Sequence, residues 1–277
     1  MIADKYKATW VSHSSMGDFL KCPRLYYLRS IYKNPVTKNK MTIMEPALAL
    51  GQVVHEVIEP LSLLPTKERN LSQLLDNFEI SWKGVSGEKG GFKDTKHEED
   101  YKERGKAMLN RVIEHPGPIL NKAIKVRSED LLPPRYLFSK EDNIILCGKI
   151  DWLEYLPESD SIHIIDFKTG KWEEKDESLQ LPIYHLLASN LQKRPITKIS
   201  YWYLDRNNEP SGVKLPELSD SYDRVYTVAK RVKLARQLDH FICPKQGCRY
   251  CWPYEEILKG KGKVVGKSDY QDIYVMV

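Results

Sequence analysis

The apolar positions follow two periods, one on each side of Pro118. Before it they recur every three or four residues, as in amphipathic helices; after it many alternate, as in strands. Ser14-Ser15-Met16-Gly17-Asp18 reads as a helix start, with Ser15 and Asp18 in capping-box spacing. That helix is expected to run on through Phe19, Leu20, Tyr26 and Leu28. The polar stretch from Lys33 to Lys40 predicts a loop. Residues 47–64 predict a second helix, with Val54, Ile58 and Leu61 on one face. Further helices are expected at 70–82 and 98–115, around a loop holding Gly84, Gly87, Gly90 and Gly91.

After Pro118, β-rich runs fall at 124–130, 135–139, 144–156 and 161–168. A helix at 178–190 follows, then the alternating strand Ile199-Ser200-Tyr201-Trp202-Tyr203, then a long helix at 220–240. Helices first, then strands joined by a crossover helix, predict an α/β core with a helical addition. The expected organisation is one domain over 1–277: a helical part at 1–117, an α/β core at 118–240 and a Cys-rich segment at 241–277.

Composition narrows the function classes. Of 277 residues, 41% are apolar and 29% charged, which suits a globular protein with a real core. No apolar run approaches the roughly 18 residues of a membrane span. The first residues, Met1-Ile2-Ala3-Asp4-Lys5, lack the apolar stretch of a secretion signal, so the cytoplasm is the expected compartment. A net charge of +5 permits a polyanionic partner without requiring one. Five cysteines in such a chain point to reduced thiols or metal ligands rather than disulfides.

The segment from Ile144 to Lys168 carries the chemistry. Two apolar runs flank Pro157-Glu158-Ser159-Asp160, a turn sequence. A hairpin symmetric about that turn pairs residues whose numbers sum to 317, which sets Asp151 opposite Asp166. Opposed residues share a sheet face, and the period of two puts Lys168 there as well, with Phe167 turned to the other side. Two facing carboxylates repel each other, and a divalent cation with hard oxygen ligands removes the conflict. A lysine beside them is placed to orient a water or stabilise developing phosphate charge.

Three blocks of sequence then resemble the signature of RecB-like nucleases, a branch of the PD-(D/E)XK type. They are Gly148-Lys149-Ile150-Asp151, Ile164-Ile165-Asp166-Phe167-Lys168-Thr169-Gly170, and Gln180-Leu181-Pro182-Ile183-Tyr184. Gly51-Gln52-Val53-Val54-His55 resembles that family's G-x-x-x-H helix, and Lys21-Cys22-Pro23-Arg24-Leu25-Tyr26-Tyr27-Leu28 its N-terminal C-P motif. The resemblance runs from about residue 12 to 255 and implies a restriction-endonuclease-like mixed sheet flanked by helices. It implies a metal held by His55, Asp151, Asp166 and the carbonyl of Phe167, with Lys168 positioning the attacking water. Gln180 and Tyr184, one helical turn apart, are implied to orient Lys168 or contact the DNA backbone. Glu59 lies on the His55 face as a partner, and Glu129 is a further candidate ligand.

Cys243, Cys248 and Cys251 form a C-x4-C-x2-C cluster, with Cys22 as a distant fourth. The AddB-type and CRISPR-associated spacer-acquisition members of the family carry a [4Fe–4S] cluster on such bracketing cysteines, and the resemblance implies one here. In those proteins the last cysteine follows the C-x2-C pair, where this chain has Ile257. Four thiolates also suit tetrahedral zinc, which stands as the rival.

The expected function is therefore a Mg²⁺- or Mn²⁺-dependent deoxyribonuclease acting on single-stranded DNA or DNA ends, with exonuclease action favoured. Recombination, repair, phage DNA processing and CRISPR spacer acquisition all fit, with partners from those systems. No Walker motif is present, so a helicase partner would be a separate chain. The other classes weighed are a DNA-binding module that has lost catalysis and a protein whose metal cluster is its purpose. The intact acidic and basic set speaks against the first, and the acidic hairpin is left unexplained by the second.

Overall fold

The computed structural model describes residues 7–126, 132–268 and 270–276. A short strand, β1 (Thr9–Val11), turns at Ser12 into α1 (His13–Lys21). Ser12 is the cap: its Oγ accepts the Ser15 N–H, and the Ser15 hydroxyl oxygen accepts the Ser12 N–H. The expected cap at Ser15 is thus three residues late, because a cap needs extended backbone and that ends at Ser12. Asp18 instead takes Arg29 on both carboxylate oxygens at 2.8 Å. The helix does not run on to Leu28. Pro23 holds Cys22 in extended backbone, and α2 (Pro23–Tyr26) starts afresh before a π-turn at Tyr27–Ile31.

After β2 (Lys40–Ile43) come three helices, α3 (Pro46–Ile58), α4 (Leu74–Trp82) and α5 (Thr95–Glu114). They pack through Val53, Val54, Phe78, Trp82, Met108 and Leu109. Then follow β3 (Arg135–Ser139), β4 (Ile144–Cys147), β5 (Trp152–Leu156) and β6 (Ser161–Lys168). Residues 124–126 form no strand; the nearest pairing is a single bridge from Ala123 to Glu154. The expected strand over 144–156 is broken at Gly148–Asp151, and its halves join different sheets. Gly148 passes under α6 (Gln180–Leu191), where a Cβ would sit 3.0 Å from Leu187 Cδ1, so glycine permits the crossing.

The chain ends with β7 (Ile196–Tyr203), β8 (Ser211–Val213), α7 (Leu218–Gln237), α8 (Trp252–Leu258), β9 (Gly262–Lys267) and β10 (Gln271–Met276). The central sheet is ordered β5-β6-β7-β8, with β6 and β7 parallel through the α6 crossover. One face packs on α3–α5 through Ile165, Phe167 and Trp202; the other packs on α6 and α7 through Ile162, Ile164 and Ile199. A second sheet, β1-β4-β3, closes over α6 and α7. The third, β2-β10-β9, joins residues 40–43 to residues 271–274 in parallel pairing. The result is a mixed α/β fold.

A buried polar chain fixes the central register. Glu154, His163 and Ser200, on three adjacent strands, meet through His163 Nδ1 to Glu154 at 2.7 Å and Nε2 to Ser200 at 2.7 Å. Asn121 donates to the second Glu154 oxygen at 2.6 Å. A one-residue slip would separate these buried partners and leave them unsatisfied.

Candidate metal centre and cysteine cluster

The β5–β6 ladder pairs Trp152 with Ile165, Leu153 with Ile164 and Leu156 with Ser161, the register expected from turn symmetry. Continued one step, it sets Asp151 against Asp166 at the open end of the hairpin. Asp151 Oδ2 accepts the Phe167 N–H at 2.9 Å. Asp166 is 1% exposed, so its charge has almost no water to stabilise it. Burial raises both carboxyls above their ordinary range. The Asp166 charge raises Asp151 further, while Lys168 pulls Asp166 back.

Lys168 follows on the same face, its Nζ 2.9 Å from Asp166 Oδ2 and 3.4 Å from Glu174. Burial would depress its ammonium, but Asp166 and Glu174 outweigh that and hold it protonated. Gln180, at the start of α6, ties the group together. Its Oε1 accepts from Lys168 Nζ, and its Nε2 donates to Asp166 Oδ1 at 2.7 Å. The same nitrogen lies 3.3 Å from the Tyr184 hydroxyl, one turn along α6. Burial and the two aspartates raise the Tyr184 phenol, so it stays neutral.

His55 arrives from the other side on α3. Gly51, one turn earlier, lets the helix close on the end of β6: a Cβ there would lie 3.2 Å from Thr169 Oγ1. His55 Nδ1 is 2.8 Å from Glu59 and 3.7 Å from Asp151 Oδ2. Burial works against the imidazolium, but the Glu59 hydrogen bond and the Asp151 charge prevail and raise it. One ligand atom each from His55, Glu59 and Asp151 lies within 4.8 Å of the others. Asp166 Oδ2 is buried without a hydrogen bond and has only the Lys168 ion pair. Hard oxygen and imidazole donors around a buried, under-satisfied carboxylate fit a divalent cation such as Mg²⁺ or Mn²⁺. Phe167 turns its ring away from the acids, between Trp152 and Trp202. Glu129 lies outside the described residues.

A cavity of about 800 Å³ opens beside His55 and Asp151, with Leu63, Ile124, Pro134 and Leu153 in its apolar lining and Lys149 among its cations. Lys149 pairs with Glu59. On the loop after β6, Trp172 is 87% exposed. That loop is held in place: Arg206 donates to the Lys171 carbonyl at 2.8 Å, and the Glu174 N–H donates to the Tyr203 hydroxyl at 3.0 Å.

The cysteines gather at a separate place. Cys22 caps α2, Cys251 caps α8, and Cys243 and Cys248 lie on the loop between α7 and α8. That loop bends back through left-handed Gln246 and Gly247, with φ of 52° and 123°. All four Sγ atoms lie within 4.8 Å of one another, with Cys248 and Cys251 3.7 Å apart. Burial opposes ionisation of Cys243, but the Gly247 and Lys245 N–H groups and the neighbouring thiols bring it down to about 6. Burial and the other thiols push Cys251 up to about 12. Four crowded thiols that cannot all ionise without compensation fit a thiophilic metal. Cys147 stands apart, its Sγ donating weakly to the Val11 carbonyl at 3.5 Å.

The fold also brings in residues that the sequence patterns did not mark. Glu174 and Lys149 touch the centre from loops, and their only signal was proximity in sequence to Lys168 and Asp151. His13 lies close enough to Lys168 and Glu174 to feel both charges, and nothing in its sequence context points there.

No curated protein matches the chain. The family model described as the PD-(D/E)XK nuclease superfamily matches residues 10–257, which include both clusters, and the chain belongs to that superfamily.

Proposed function

We propose that this member of the PD-(D/E)XK nuclease superfamily is a divalent-cation-dependent deoxyribonuclease that hydrolyses phosphodiester bonds in single strands or at DNA ends. The observation that carries the reading is the buried Asp151–Asp166 pair with Lys168 locked beside it by Gln180. His55, Asp151, Asp166 and the Phe167 carbonyl would hold the cation, with Glu59 orienting His55 or joining them. The bound cation supplies Lewis acidity at the scissile phosphate and a more acidic water. Lys168, protonated and immobile, orients that water or meets the charge growing on the phosphate oxygens. Gln180, braced by Tyr184, holds the paired Lys168 and Asp166 side chains in place. Exposed Trp172 on its anchored loop supports single-strand use, since an unpaired base stacks on such a ring.

The cysteine spacing supports a single structural zinc ion. With Zn–S bonds of about 2.3 Å, a tetrahedron sets neighbouring sulfurs ~3.8 Å apart. Cys248 and Cys251 are 3.7 Å apart. An iron–sulfur cubane holds each thiolate on its own iron at an outer corner, which spreads the sulfurs wider. Metal analysis of protein purified without oxygen is expected to give about one zinc per chain and no visible absorption band. Iron with matching sulfide would restore the iron–sulfur expectation.

The nuclease reading is tested with end-labelled single- and double-stranded DNA in Mg²⁺ or Mn²⁺. Wild-type protein is expected to degrade the single strand, and removing the cation to stop it. Binding without cleavage under every cation would point to the inactive DNA-binding module instead.

A further inference from the structure

On the far side of α1 from Lys168, a cleft of about 630 Å³ opens between α1, the turn after α2, β2 and the end of α7. Lys33, Lys40 and Arg236 converge on it. Among the described residues none of the three has a carboxylate partner, and Arg236 has only the Tyr26 hydroxyl, at 3.2 Å. The one acid in the lining, Asp18, is neutralised by Arg29 through both oxygens. The cleft therefore holds three uncompensated positive charges in a chain whose net charge is +5. They are near one another: burial, then the charges of Lys33 and Arg236, hold the Lys40 ammonium below its ordinary value. Like charges gathered without an anion repel, and an entering anion turns that repulsion into binding. The hydroxyls of Ser12 and Ser14 add donors at the wall.

We propose that this cleft binds phosphate groups, and that they belong to the backbone of the strand being cut. The choice of strand follows from position. Ser14, Ser15 and Asp18 line the cleft on one face of α1, while His13, on the other, is within reach of the Lys168 and Glu174 charges. The two sites thus lie on opposite sides of one helix, roughly 10 Å across. A strand with its scissile phosphate at Lys168 meets the cleft a few nucleotides away. The source of the phosphate rests on the nuclease reading; the phosphate chemistry does not.

The test measures anisotropy of a labelled single strand across a salt series without divalent cation, alongside calorimetric titration with inorganic phosphate. The triple variant Lys33→Gln, Lys40→Gln, Arg236→Gln is compared with wild type. Each lost phosphate contact lowers the slope of log affinity against log salt by about 0.7, so a fall of about 2 is expected. Lys33→Gln alone, at an exposed position where folding is not at stake, should lower it by about 0.7. Loss of slope and of phosphate binding together supports the proposal. If wild-type protein binds no DNA but its phosphate binding disappears in the triple variant, the cleft stands and the nuclease reading fails. If Lys33→Gln and a folded triple variant keep the full salt slope and phosphate affinity, or wild-type protein binds neither ligand, the proposal is overturned.

Discussion

The acidic centre and the cysteine cluster both collect donors from distant stretches of chain, but they are held in opposite ways. Asp151 and Asp166 sit at the end of a ladder whose register is set by backbone pairing and by the Glu154–His163–Ser200 chain. Their neighbours are already hydrogen-bonded to protein, through the Phe167 N–H and the Gln180 amide. The thiols instead sit at helix starts and on a bent loop, packed with Leu25, Met41 and Tyr254, and Cys248 and Cys251 touch each other. The Arg24–Glu255 pair at 2.5 Å is one of few polar ties across that region. The first site is held by bonds within the protein, and the second should depend more on a metal that brings four thiolates to one point.

That contrast is open to attack, and the largest effect should fall on turnover. Asp166→Ala and Lys168→Ala are each expected to lower cleavage of labelled single strands a thousandfold or more, ~4 kcal/mol of barrier. With a divalent cation present to take up the Asp166 charge, circular dichroism melts of Lys168→Ala should stay close to wild type. Without the cation a drop is expected, because buried Asp166 loses its ion pair. Cys22→Ser should act mainly on stability. It is expected to empty the cluster and cost on the order of 4 kcal/mol, ~10 °C in melting temperature for a domain of this size. Unchanged metal content and melting would break the four-ligand assignment.

Gln180→Ala sharpens the comparison from inside. With Lys168 and Asp166 untied, activity should fall about ten- to hundredfold, as when outer partners of a metal site are removed. Glutamate at this position should not restore it, because it has no N–H for Asp166. The smallest contrast lies in acid stability. Burial first, and the Lys168 charge second, bring His13 down to about 4. Its folded pKa is depressed, so the unfolded chain takes the proton first and stability falls as pH drops below 6.5. In denaturant titrations, wild-type protein should lose about 2 kcal/mol relative to His13→Gln between pH 6.5 and about 5, at ~1.4 kcal/mol per unit.

What was legible in the sequence follows the same division. The hairpin register could be read because a short turn between apolar runs fixes pairing locally. From it the facing of Asp151 and Asp166, and the side taken by Lys168, followed. Period and turn residues gave α3, α4, α5, α6 and α7 within a few positions. The break at Gly148 was hidden, because it answers to Leu187 of α6, a contact between strands and helix that no local pattern records. β2, β9 and β10 were also hidden: they are short, and their partners lie more than two hundred residues away or in each other. Glu174 and His13 reach the centre through loops and a helix end, where spacing carries no periodic signal. The cations of α7 also part ways in the fold: Lys233 is tied to Asp142, Arg224 to backbone carbonyls, and Arg236 lines the cleft.

The parallel pairing of β2 with β10 has a consequence for the order in which the protein is made. During synthesis Lys40–Ile43 emerges early and has no strand to pair with until Gln271–Tyr274 has been added. Cys22 waits in the same way for Cys243, Cys248 and Cys251. A ribosome working at about 5–20 residues per second leaves this corner open for on the order of 10 seconds or more. Through that interval the edge of β2 and a lone thiol are exposed to other nascent chains and to oxidants. The central hairpin, complete by Lys168, has no such delay. Slowing the last stretch of translation should therefore lower the yield of metal-loaded protein while sparing the chain's central sheet.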